Sequence, residues 1–217
     1  MTPRGLVIFD CDGVLVDSEG ISMRELARSI ARVGGTLTLA EVTERFVGLS
    51  LADVIAHVEA HLGRPVPAGW LDTFVKERAE AFERVLLPVP GAAEAVEGVR
   101  ALGWETCVAS GGRMEKMAQT LRVTGLWDLF PPDRIFSVTL VERGKPAPDL
   151  FLHAARVCGF DSTACVVVED SVPGLAAARA AGMRALAYTN DDVALAARAA
   201  PLGAEPLSDM RELPARL

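Results

Sequence analysis

The chain has 217 residues, half of them hydrophobic, and a formal net charge of −7 from 22 basic and 29 acidic residues. It contains no basic run and no apolar stretch of the ~18 residues that a membrane helix requires, so we expect neither nucleic acid nor a membrane as partner. The opening MTPRGLVIFD carries no cleavable signal pattern, and the four cysteines are scattered without CxxC spacing. These features predict a cytoplasmic protein with buried, unpaired thiols.

The predicted strands are short and continuously apolar, which is typical of parallel strands covered on both faces. In chain order they are LVIF (6–9), ETCVAS (105–110), RIFSV (134–138), CVVVED (165–170) and RALAY (184–188). Alanine-rich helical patterns that end at a glycine lie between them, at 91–103, 115–125, 148–159 and 172–182. This alternation predicts an α/β fold with a doubly wound, Rossmann-like parallel sheet, which binds ligands at the carboxyl ends of its strands.

One interval departs from the alternation. Residues 17–84 show helical patterns but no strand, and LLPVPG follows with Pro88 and Pro90. We therefore predict an inserted helical domain at 17–84, within an α/β core formed by 1–16 and 85–217.

Two carboxylates follow the first predicted strand, in the stretch FDCDGVLVDSE. Side chains at i and i+2 of an extended chain point to the same face, so Asp10 and Asp12 can address one point beyond the strand. Gly13 comes next, where the chain must turn. A strand end that is merely solvated by two acids is the competing interpretation.

The other strand ends favour a binding site. Ser110 and Gly111 follow the second strand, Glu169 and Asp170 end the fourth, and Lys145 lies in the proline-rich turn GKPAPD. Four carboxylates at one edge of a sheet repel one another and require a cation. Hard oxygen ligands suit Mg²⁺, which is commonly shared with a phosphate group, and the lysine adds a fixed positive charge.

These stretches carry a resemblance to a known family. DCDGVLVDSE, ASGG, KPAPD and VEDS resemble, in order and spacing, the four motifs of the haloacid dehalogenase-like superfamily. They span residues 10–171, and the inserted block is similar to that family's helical cap domain. The phosphatase and β-phosphoglucomutase branch is the nearest likeness.

The resemblance implies a covalent mechanism. Asp10 would be the nucleophile that forms an aspartyl-phosphate, and Asp12 the general acid that later acts as general base. Ser110 and the Gly111 amide would bind the phosphate, whose charge Lys145 would neutralise.

The resemblance also implies the ligands of the metal. The carboxylates of Asp10 and Asp170 and the backbone carbonyl of Asp12 would hold Mg²⁺. Glu169 would be a ligand directly or through water.

The predicted function is that of a Mg²⁺-dependent phosphatase acting on small phosphorylated metabolites, namely sugar, sugar-acid or polyol phosphates, as a monomer or weak homodimer. The alternative is a β-phosphoglucomutase. That branch is expected to carry a histidine where this chain has Ser22 and an arginine where it has Leu51, although Arg45 could replace the arginine. Neither Ser22 nor Leu51 can carry a charge or hold a second phosphate, which favours hydrolysis.

Two more distant alternatives share an aspartate at a strand end. A receiver-type signalling domain has no inserted helical block and no second aspartate at the position of Asp12. A haloalkanoate dehalogenase needs no Mg²⁺, whereas Asp12 and Asp170 indicate a metal. Both are therefore disfavoured.

Overall fold

The computed structural model describes residues 3–217. Its central element is a six-stranded, all-parallel sheet in the order β3-β2-β1-β4-β5-β6. The strands are β1 (Leu6–Phe9), β2 (Glu105–Ser110), β3 (Ile135–Ser137), β4 (Cys165–Glu169), β5 (Arg184–Tyr188) and β6 (Glu205–Leu207). The predicted α/β class with a doubly wound parallel sheet is confirmed.

The five strands predicted from apolar runs are present, whereas β6 was missed. This strand has three residues, includes Pro206 and pairs only with β5 at the edge of the sheet. A short edge strand buries little surface and tolerates a proline, so it lacks the apolar run by which the other strands are recognised.

Five helices accompany the sheet: α5 (Ala92–Ala101), α6 (Met114–Val123), α7 (Asp149–Cys158), α8 (Val172–Ala180) and α9 (Val193–Ala199). Helix α7 ends at Gly159, whose φ of 82° is the left-handed conformation that glycine adopts without strain. Apolar side chains of β1, β2 and β4 form a buried cluster with those of α7 and α8. Within residues 3–217, none of the helices combines the length and the apolar character needed to cross a membrane.

Contacts divide the chain into two compact units. Asp17–Leu86 forms a helical unit, and the residues up to Val16 form the α/β unit together with Leu87–Leu217. The helical unit contains α1 (Glu19–Arg32), α2 (Leu39–Phe46), α3 (Leu51–Leu62) and α4 (Trp70–Val85) around its own apolar cluster. The helical unit ends at Leu86, two residues after the boundary given in the sequence analysis, because α4 continues through Val85.

The register of the sheet sets the level at which its central strands end. Phe9 of β1 pairs with Val108 of β2 on one side and with Val168 of β4 on the other. The residues that follow these positions therefore reach the same edge of the sheet. Asp10, Ser110 and Glu169 are all at this edge.

Candidate active site

Asp10 is the first residue beyond β1, and the sheet holds its backbone. Its amide donates to the carbonyl oxygen of Val168 at 3.0 Å, so the parallel ladder continues one residue past the strand. The residue is only 7% exposed. A carboxylate is thus presented at a nearly buried and rigid position.

Lys145 joins three groups at the strand ends. Its Nζ donates to Asp10 Oδ1 at 2.8 Å, to Glu169 Oε1 at 2.6 Å and to the carbonyl oxygen of Ala109 at 3.2 Å. Burial lowers the pKa of this lysine, but the negative charges of Asp10 and Glu169 and their hydrogen bonds outweigh burial and raise it overall. The ammonium is therefore a fixed positive charge beside Asp10.

The pKa of Asp10 is raised even though Lys145 lies beside it. Burial raises the pKa of the Asp10 carboxyl to about 6, the charge of Lys145 acts in the opposite direction, and the charges of Glu169 and Asp12 add to the rise. The site without a metal therefore disfavours the ionised form of Asp10, and a bound cation would favour it.

The oxygen donors fit a hard divalent cation. Asp10, Glu169 and Asp170 each offer a carboxylate oxygen, and the three oxygens lie within 4.8 Å of one another. A Cβ placed on Gly13 would lie 1.8 Å from Asp170 Oδ2, and Gly13 has a φ of +75°, so glycine alone lets the turn lie against this carboxylate. Mg²⁺ prefers such a set of oxygen ligands.

Glu169 accepts a hydrogen bond on each of its two carboxylate oxygens. Its Oε1 accepts from Lys145, and its Oε2 accepts from the Ser171 amide at 2.7 Å. Both oxygens already have partners, which suits a contact with a metal through water better than a direct one. Asp10 and Asp170 remain the candidates for direct ligands.

The loop after β2 is held from two sides. Ser110 is 1% exposed, and its Oγ accepts from the Gly112 amide at 3.2 Å. The Ser137 hydroxyl, at the end of β3, donates to the Gly112 carbonyl at 2.7 Å. A Cβ at Gly111 would meet no described atom within 4 Å, so the backbone there is open to a close ligand such as phosphate.

Asp12 is separate from the three clustered carboxylates. Its Oδ1 accepts from Lys116 Nζ of α6 at 2.6 Å. The alternation of an extended strand predicted that both aspartates address one point. The chain turns directly after Cys11, whose carbonyl accepts from the Leu15 and Val16 amides at 2.9 and 3.0 Å. The charge of Asp12 still acts on Asp10, and the common target of the two side chains stays a prediction.

Cys11, between the two aspartates, is a structural residue. It is fully buried, and its Sγ lies 3.9 Å from the Thr120 hydroxyl oxygen. Burial and the charges of Asp12 and Asp10 raise the pKa of this thiol well above its ordinary value. All four cysteines are buried and free, which confirms the prediction from their spacing.

Sequence reasoning missed Lys116, Ser137 and Gly174 as residues of the site. Gly174, the third residue of α8, is the least expected, because glycine has a low helix propensity. A Cβ at this position would lie 1.8 Å from Glu169 Oε1 and 1.9 Å from its Cδ, so α8 approaches the acid more closely than alanine permits.

The substitution Gly174→Ala should therefore displace Glu169 from Lys145. We expect kcat to fall by about 10²-fold, as for other misplacements of about 1 Å, and the free energy of unfolding to fall by about 1–3 kcal/mol. The matched control is Gly20→Ala in α1, where the nearest atom to a new Cβ is Arg24 Nη1 at 3.4 Å. The control should keep its activity and its stability. Equal behaviour of the two variants in steady-state kinetics and urea unfolding would contradict this account of Gly174.

The comparisons with known proteins agree with this geometry. The family model of the haloacid dehalogenase-like hydrolases matches residues 5–182. The chain is 33% identical over 186 residues to a 6-phosphogluconate phosphatase of Escherichia coli K12, covering 85% of this chain and 82% of that protein.

Two solved structures extend the comparison. A hydrolase of the same family from Deinococcus radiodurans R1, with bound phosphate and sodium, is 33% identical with a TM-score of 0.78 and covers 98% of this chain and 94% of its own. A putative β-phosphoglucomutase from Thermotoga maritima is 27% identical with a TM-score of 0.75, covering 98% and 97%. The overall fold is thus shared by proteins named for both activities, and the choice between them depends on individual residues.

Proposed function

Because the chain belongs to the haloacid dehalogenase-like hydrolase family, we propose that it is a Mg²⁺-dependent phosphatase that hydrolyses sugar, sugar-acid or polyol phosphates through an aspartyl-phosphate on Asp10. The observation that carries the proposal is the bridge from Lys145 to both Asp10 and Glu169, beside Asp170. It combines a nucleophile, a fixed cation and hard metal ligands at one edge of the sheet. The likeness to a 6-phosphogluconate phosphatase supports the substrate class.

The first chemical step transfers the phosphoryl group to Asp10. The Ser110 hydroxyl, the Gly111 amide and the Lys145 ammonium bind the phosphate oxygens, and a carboxylate oxygen of Asp10 forms a bond to phosphorus. The bond between phosphorus and the ester oxygen breaks, and this oxygen takes a proton from Asp12 as the alcohol leaves. Positioning and charge supply most of the catalysis in such a transfer.

A bound metal would assist phosphoryl transfer by offsetting negative charge in the site. Mg²⁺ held by the carboxylates of Asp10 and Asp170 and the Asp12 carbonyl, with Glu169 directly or through water, would offset the charge of the phosphate beside the acids.

The second step releases inorganic phosphate. Asp12, now ionised, takes a proton from a water molecule whose oxygen bonds to phosphorus. The bond from phosphorus to the Asp10 oxygen breaks, and the carboxylate of Asp10 is regenerated. One residue thus serves as acid and then as base.

Two residues of the helical unit favour hydrolysis over the mutase reaction. The Ser22 hydroxyl donates to the backbone carbonyl of Ser18, one helical turn earlier, at 2.9 Å. Leu51 is the first residue of α3 and is apolar. A mutase must hold a bisphosphate intermediate, and neither side chain supplies a charge for it.

The test is a panel of phosphate esters assayed for inorganic phosphate and for isomerised product. We expect phosphate release from 6-phosphogluconate or a hexitol phosphate with Mg²⁺, and loss of that release with excess chelator. β-Glucose 1-phosphate, tested with and without glucose 1,6-bisphosphate, separates the branches. Accumulation of glucose 6-phosphate faster than phosphate would contradict the hydrolase assignment.

A further inference from the structure

Lys116 pairs with the proposed acid–base residue, and no motif of the family resemblance includes it. Its Nζ lies 2.6 Å from Asp12 Oδ1, and the two side chains are 21% and 28% exposed. We propose that Lys116 is a positioning residue, which fixes one oxygen of Asp12 so that the other, Oδ2, exchanges the proton with the substrate. This inference rests on the proposed phosphatase function.

The position of Lys116 in its helix is not explained by helix stability. It is the third residue of α6, in the first turn. The partial positive charge of a helix N-terminus disfavours a cation there and favours acids. An ion pair that is partly open to solvent also contributes little to stability. Helix stability thus gives no reason for the contact, and its proposed role is to orient Asp12.

Helix α6 is held against the turn that carries Asp12. Thr120, one turn after Lys116, donates its hydroxyl to the Lys116 carbonyl at 3.1 Å. The same hydroxyl oxygen lies 3.9 Å from Cys11 Sγ, between two buried residues. Since Cys11 directly precedes Asp12, the contact places the middle of α6 beside the residue that precedes the acid.

The second oxygen of Asp12 faces the loop after β2. A Cβ built on Gly112 would lie 3.7 Å from Asp12 Oδ2 and 3.6 Å from Ser110 Oγ. Oδ2 therefore borders the loop that is proposed to bind the phosphate, and Oδ1 accepts a hydrogen bond from Lys116. The leaving oxygen of a bound ester would receive its proton from Oδ2, and the attacking water would return a proton to the same atom.

The experiment compares Lys116→Met with Lys116→Arg in the full chain, using 6-phosphogluconate and p-nitrophenyl phosphate. Loss of positioning should lower kcat for the alkyl ester by about 10–10²-fold, a part of the ~10²–10⁴-fold that general acid catalysis supplies, with little change in KM. Single-turnover release of p-nitrophenolate, which needs little protonation, should be much less affected. Lys116→Arg should recover most of the loss.

Two controls separate positioning from a general defect. Lys76→Met in α4 removes a lysine whose side chain is 79% exposed, and it should match the wild type. In an Asp12→Ala background, Lys116→Met should cause no further loss with 6-phosphogluconate, because the residue acts through Asp12.

Several outcomes would overturn the inference. A rise in KM for 6-phosphogluconate with unchanged kcat would make Lys116 a substrate-binding residue instead. Equal losses with both esters, full additivity with Asp12→Ala, or unchanged kinetics would each exclude positioning. A wild type that hydrolyses no phosphate ester would overturn the proposed function as well, whereas an active wild type matched by Lys116→Met would overturn this inference alone.

Discussion

Asp10→Asn should fold normally and lose about 10⁴-fold or more in kcat with every phosphate ester, as expected when a covalent nucleophile is removed. An amide has nearly the same shape as the carboxylate but does not attack phosphorus. Lys145 keeps its contacts with Glu169 and the Ala109 carbonyl, so the buried ammonium is still paired. Steady-state phosphate release, with circular dichroism to monitor folding, is the measurement.

The pH dependence of stability provides the control on folding. Burial raises the pKa of Asp10 most, Lys145 lowers it, and Glu169 and Asp12 raise it further, to about 6 from an ordinary value of 3.8. The stability that comes from this group is therefore fully present below about pH 4, where the carboxyl is protonated in both states of the metal-free protein, and it is lost as the pH rises through about 6. In chelator, the wild type should thus lose stability relative to Asp10→Asn between pH 4 and 7. A variant that unfolds at all pH values, or one that keeps full activity, would contradict the assignment of Asp10.

Asp12→Ala should show the second large effect. An alkoxide leaves poorly unless it is protonated, so we expect a loss of about 10²–10⁴-fold with alkyl phosphates such as 6-phosphogluconate. The first step with p-nitrophenyl phosphate should lose much less, because p-nitrophenolate leaves without a proton. Single-turnover kinetics of the two esters measure the difference. Equal losses in that step would mean that Asp12 does not act as a general acid.

The strand ends explain why so much of this site was predictable from sequence. Apolar runs identify buried parallel strands, and polar residues directly after such runs must meet at one edge of the sheet. Asp10, Ser110 and Glu169 were placed in this way. Asp170 follows from the same reasoning. Lys145 does not follow a strand, and the proline-rich turn GKPAPD and the motif resemblance indicate it instead.

Contacts between distant elements account for what was missed. The amphipathic pattern of α6 does not distinguish Lys116 from other lysines on helix surfaces. Its contact with Asp12 appears only once α6 packs beside Cys11. The need for glycine at position 174 depends on how closely α8 approaches Glu169, and β6 is too short to show a pattern. Substrate choice depends on loops that vary independently of the sheet. The cytoplasmic location and the monomeric or weakly dimeric state stay predictions.

The most direct test of the central claim is to locate the covalent phosphoryl group. Asp12→Ala lacks the base for the second step, so mixing it with p-nitrophenyl phosphate and Mg²⁺ should release a burst of p-nitrophenolate and leave Asp10 phosphorylated. Acid quenching and borohydride reduction convert an aspartyl-phosphate to homoserine, which peptide mass spectrometry can assign to a position. We predict homoserine at position 10, in an amount that matches the burst. A burst with homoserine at another position, or turnover with Asp10 never modified, would contradict the account.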